Sequence, residues 1–76
     1  MHKSTEGPRY QTALMRDDMA VRGLNAVALG RRARVSHTTI SRFLKREHQT
    51  AKTAKKIARA LGHDVERYLI RSVAVA

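Results

Sequence analysis

The segment Thr50 to Gly62, TAKTAKKIARALG, places Ala54, Ile57, Ala58 and Leu61 on one arc and Lys52, Lys55, Lys56 and Arg59 on the opposite one. At about 100° per residue this spacing fits an α-helix, with Thr50 as N-cap and Gly62 as the stop. The apolar arc is small and alanine-rich, so it must lie against other helices to be stable. The chain has 76 residues and no cysteine, which excludes disulfides and thiolate zinc sites. A domain of this size buries only about 60% of the surface its unfolded chain exposes, so helix packing has to carry the fold.

The same reading gives four further helices and an all-α, compact five-helix single domain over residues 1–76. Gly7-Pro8 opens helix one, over 9–22, because proline suits a first helical turn. Tyr10, Leu14 and Val21 share its stripe, and Gly23 closes it. Met15 and Met19 fall off that stripe, leaving two choices: a wide buried arc or one exposed methionine. Asn25 caps helix two, over 26–33. Ser36 caps helix three, over 37–45, where Ile40, Phe43 and Leu44 pack while His37, Thr38, Ser41, Arg42 and Lys45 face outward. Helix four covers 51–61. Asp64 caps helix five, over 65–71, with its charge at the positive end of the helix dipole. Residues 1–8 are expected to be a flexible N-terminus. No strand is required, with the exception that the tail SVAVA has strand character.

The positive charge is gathered in one place. Of a formal net charge of +10, residues 31–59 supply +9, with ten Lys/Arg against Glu47 alone. Self-repulsion on that scale opposes folding, so the block is expected to face a polyanion. The longest apolar run is the tail VAVA, far short of the roughly 20 residues of a membrane span. MHKSTEGPRY lacks the apolar core of a signal peptide, so a cytoplasmic location is expected.

Two short helices joined by a tight turn, the second with a small polar outer face, describe a DNA-reading pair. Residues 24–61, LNAVALGRRARVSHTTISRFLKREHQTAKTAKKIARAL, resemble the helix-turn-helix core of the lambda Cro and repressor-like (XRE-type) family over half of the chain. The resemblance is carried by Leu24-Asn25, Leu29-Gly30, Val35-Ser36, Thr39-Ile40-Ser41 and KIARALG at 56–62. It implies a lambda repressor-like fold and a small, phage Cro-like DNA-binding regulator that inserts helix 37–45 in the major groove of an operator. It also implies a setting in the cytoplasm of a bacterial or phage-infected cell, associated with the nucleoid.

By resemblance, Ile40 and Phe43 hold helix three to the core above Leu29 and Val35, and Gly30 is the small residue where the two helices nearly touch. His37, Thr38, Ser41 and Arg42 match the base-reading face, and Asn25 matches a phosphate contact. One departure is Arg34, at a turn position that the family usually gives to glycine. A left-handed conformation there costs an arginine about 1 kcal/mol or more, so either the turn has another shape or Arg34 offsets the strain on a phosphate.

Chemistry adds to these roles. The guanidinium fork of Arg42 can bond O6 and N7 of guanine, which makes it the leading reader. His37 can donate to guanine or phosphate, and Thr38 offers a hydroxyl and a methyl. Thr39 turns partly inward, where capping or packing competes with a DNA contact. Ser36, Thr39, Arg31, Arg32, Arg34, Lys45, Arg46 and Lys52 join Asn25 as expected contacts to the DNA backbone, which position without carrying sequence information. Lys55, Lys56 and Arg59 read as a solvated face.

Other classes fit less well. The four histidines at 2, 37, 48 and 63 are scattered, and neither a carboxylate pair nor a nucleophile beside a base is present, so no enzyme, metal or cofactor is expected. Single-strand and RNA binding generally use stacking aromatics, whereas Phe43 lies on the packing arc and Tyr10 and Tyr68 fall outside the basic block. An antitoxin-like or excisionase-like DNA-binding protein is the nearest alternative. A basic amphipathic membrane-surface protein, drawn from helix four, is the alternative from another class. A homodimer through the tail (72–76) or helix five and a monomer on an asymmetric site both fit, as does a disordered tail.

Overall fold

The computed structural model describes residues 9–70. The helix start expected at Gly7-Pro8 and the roles expected for residues 1–8 and 72–76 lie outside the described residues. In chain order the elements are β1 (Arg9–Tyr10), α1 (Thr12–Val21), α2 (Ala26–Ala33), α3 (His37–Leu44), α4 (Ala51–Ala60), a 3-10 turn (Val65–Tyr68) and β2 (Leu69–Ile70). The protein is therefore mostly helical, with four α-helices in place of the expected five. α2 packs on both α3 and α4, while α1 packs on α3 and the 3-10 turn.

Helix five is replaced for a local reason. Val65, Tyr68, Leu69 and Ile70 are β-branched, aromatic or large aliphatic residues that suit extended backbone. A single tight turn then buries Tyr68, and Leu69 leaves it extended, with φ −72° and ψ 133°. β2 pairs antiparallel with β1, setting Leu69 opposite Tyr10 and Ile70 opposite Arg9. The expectations of helix from residue 9 and of no strand outside the tail are both corrected by this pairing. Asp64 precedes the turn but makes no capping bond through its side chain, contrary to its expected role.

α1 is rotated from the expected stripe. Thr12, Met15, Asp18 and Met19 are buried, Leu14 is half-buried and Val21 is 80% exposed. Both methionines thus belong to the core, and the buried arc also takes in a carboxylate. α3 and α4 bury the expected apolar residues, whereas Ser41, expected to face outward, is half-buried. Leu29, Ile40, Phe43, Ile57 and Leu61 are fully buried, together with Met15 and Tyr68. Tyr10 reaches from β1 onto Phe43, with ring centroids 5.3 Å apart, so the strand pair supports α3 from beneath.

Candidate nucleic-acid interface

The geometry of the α2–α3 turn starts from Gly30. A Cβ on Gly30 would lie 2.5 Å from the Val35 carbonyl oxygen and 3.3 Å from the His37 amide nitrogen. Only glycine lets α2 come this close to the backbone that begins α3. The Gly30 carbonyl closes the helix by accepting from the amides of Arg34 and Val35. Arg34 takes the left-handed conformation, with φ 61° and ψ 44°. The turn therefore keeps the shape expected with glycine, and the option of a different turn geometry is removed.

Arg46 repeats this at the far end of α3, with φ 65°. Its amide donates to the Phe43 carbonyl, and the Glu47 amide donates to that of Arg42. Gln49 Nε2 donates to the same Phe43 carbonyl at 2.9 Å. At the two other left-handed positions among the described residues the chain uses Gly23 and Gly62. Glycine thus closes α1 and α4, while arginine stands at both positions that bracket α3.

The polar residues named at the helix starts act as caps. Asn25 Oδ1 accepts from the Ala28 amide at 2.8 Å. Ser36 Oγ accepts from the Thr39 amide at 3.2 Å and lies 2.9 Å from Thr39 Oγ1. Thr39 is half-buried in this contact, in line with capping. Thr50 caps α4 in the same way, through the Thr53 amide. These bonds fix where α2, α3 and α4 begin and how their first turns point.

α3 divides cleanly. Ile40, Phe43 and Leu44 are buried, while His37, Thr38 and Arg42 are exposed and Ser41 is half-buried. Arg31, Arg32 and Arg34 are exposed before α3, Lys45 and Arg46 are exposed at its end, and Lys52 is exposed in the first turn of α4. Among the described residues every ion pair involves Asp18, with Arg67 or His63. None of the ten cations between residues 31 and 59 has an acidic partner there.

Three features had no sequence signal strong enough to find them. Gln49 closing α3 is one. The second is a hollow between α2 and α4 lined by Arg32, Ala33, Arg34, Lys56, Arg59 and Ala60; Lys56 and Arg59 are exposed there, as expected of a solvated face. The third is the buried Asp18, which accepts from Arg67 Nε at 2.9 Å, Arg67 Nη2 at 3.1 Å and Tyr68 Oη at 2.6 Å. The Arg67 hydrogen bonds outweigh burial and, with Tyr68, lower the Asp18 carboxyl from 3.8 to about 2. Burial, reinforced by the Asp18 charge, pushes the Tyr68 phenol up to about 12.

No group of three or more His, Asp or Glu side chains among the described residues is placed to hold a metal ion. Among those residues no helix is long and apolar enough to cross a membrane. Comparison of the chain with family models, with curated proteins and with solved structures returned no match.

Proposed function

We propose that this protein is a sequence-specific double-stranded DNA-binding regulator, a small Cro-like repressor of the lambda repressor-like helix-turn-helix type. The observation that carries the reading is α3 itself. One face is locked into the core, the other is polar, and the surrounding cations lack acidic partners among the described residues. Eight helical residues span about 12 Å, a size that a major groove accepts.

In this reading Arg42 forks onto a guanine edge, His37, Thr38 and Ser41 read neighbouring base edges, and Arg31, Arg32, Arg34, Lys45, Arg46 and Lys52 grip phosphates. Asn25, Ser36 and Thr39 aim the first turns of α2 and α3, and their amide, hydroxyl and backbone groups meet the DNA backbone. Occupying an operator excludes polymerase or a competing regulator without any catalytic step, metal or cofactor. The protein acts where bacterial or phage DNA lies, in the cytoplasm.

The membrane-surface alternative loses its basis in α4. Ala54, Ile57, Ala58 and Leu61 are buried in the core, which leaves that helix without an apolar face to insert.

Selection of bound duplexes from a random library at about 150 mM salt tests the proposal, because non-specific phosphate contacts are weakened there. Enrichment of one sequence is the expected result: a palindrome identifies a dimer and an asymmetric site a monomer. Binding without enrichment would reduce the protein to a sequence-neutral DNA coat.

A further inference from the structure

The hollow between α2 and α4, about 550 Å³ in volume, has four cations around two alanines. Its floor is small because Ala33 and Ala60 carry only methyl groups. Arg32 and Arg34 come from the end of α2 and its turn, and Lys56 and Arg59 from the outer side of α4. No α3 residue lines it, so it is separate from the proposed base-reading face. Neither an aromatic ring nor a carboxylate lines it, and its four cations make dense negative charge the complementary partner. Arg59 also borders a groove shared with Asp64, yet no ion pair joins them.

Sequence position strengthens the case. Lys52, Lys56 and Arg59 follow one another at four- and three-residue spacing and form one row along α4. Adjacent like charges on a helix are mildly destabilising, and here two arginines of α2 add to the row. Such convergence is stabilised once an anion is present.

We infer that this hollow is a phosphate-binding site in which Lys56 and Arg59 join Arg32 and Arg34 to take closely spaced phosphate groups. A nucleic-acid backbone and a free polyphosphate compound share that chemistry. The DNA-backbone source rests on the function proposed above, whereas the site itself does not.

Lys55 and Lys56 are adjacent, exposed and equal in charge, but only Lys56 lines the hollow. Inorganic triphosphate is titrated into the full chain while backbone amide NMR shifts are followed. Shifts concentrated at Arg32, Ala33, Arg34 and Ala60 are expected, with affinity reduced about threefold to tenfold by Lys56→Ala and unchanged by Lys55→Ala. Equal loss in both variants, or shifts spread over the whole basic surface, would overturn the inference. The source is then read from duplex binding. If Lys56→Ala also flattens the salt dependence by about one unit, DNA supplies the phosphates. If that slope is unchanged while triphosphate affinity falls, the ligand is a free phosphate compound. A failure of duplex binding altogether would remove the proposed function and leave the triphosphate result standing.

Discussion

The hydroxyl of Tyr68 donates to the carboxylate of Asp18 at 2.6 Å across fifty residues of chain. Asp18 also holds Arg67 at two points, so one buried acid ties α1 to the turn that precedes β2. β2 in turn pairs with β1, whose Tyr10 packs on Phe43 of α3. A polar cluster remote from α3 in sequence thereby helps to hold the proposed reading helix in place.

Removing the acid should therefore destabilise the fold strongly. Asp18→Ala leaves the buried Tyr68 hydroxyl without its acceptor and removes the bonds to the partly exposed Arg67, which together cost about 2 to 4 kcal/mol. Tyr68→Phe removes one bond and should cost less, about 1 to 3 kcal/mol. Urea denaturation of both variants checks the order; an Asp18→Ala loss below that of Tyr68→Phe would contradict the cluster's role.

The same carboxylate sets an acid limit. Its pKa is about 2 in the folded chain against 3.8 ordinarily, so its ionised form contributes about 2 kcal/mol. A depressed folded pKa means this contribution is complete above about pH 4 and is lost as pH falls toward about 2. Wild-type stability should fall through that window more steeply than that of Asp18→Asn. Parallel curves would show that Asp18 is not the responsible group.

Gly30→Ala should destabilise by about 1 to 3 kcal/mol, although alanine is the better helix former, because the new methyl meets the Val35 carbonyl at 2.5 Å. Gly23→Ala meets open space and faces only its left-handed backbone, with φ 67°, a cost of about 1 kcal/mol. Thermal melting of the pair separates steric from conformational cost. An unchanged melting temperature for Gly30→Ala would mean that the α2–α3 turn is looser than described.

Arginine at the two left-handed positions gives a prediction of opposite signs. Arg34→Gly and Arg46→Gly relieve backbone strain and should each raise stability by about 0.5 to 1 kcal/mol. Each should also weaken DNA binding and flatten its salt slope by about one unit, if the arginines grip phosphates. Greater stability with unchanged affinity would place these arginines off the DNA.

Much of the architecture was legible because it depends on local rules. The α2 boundaries, the caps at Asn25, Ser36 and Thr50, and the split of α3 into Ile40, Phe43 and Leu44 against His37, Thr38 and Arg42 all follow from periodicity and capping chemistry. Long-range features were not. The Asp18–Tyr68 contact gives a carboxylate a reason to be buried, and that reason lies fifty residues away. That contact accompanies the burial of the Asp18 face of α1, which no local pattern marks. Arg34 was recognised as a departure at the turn, but only the backbone shows that it adopts the left-handed conformation and that Arg46 does the same. The hollow beside Lys56 and Arg59 has no sequence signal because α2 and α4 meet only in three dimensions.

The most direct test of the proposed DNA-reading role of α3 is the affinity of wild type and Arg42→Ala for the selected duplex and for a scrambled one. Arg42 is exposed and forms no side-chain bond within the described fold, so stability should be unchanged. Arg42→Ala is expected to lose about 1 to 3 kcal/mol on the selected duplex and little on the scrambled one. Equal losses on both duplexes would make Arg42 a phosphate clamp and contradict base reading by this face of α3.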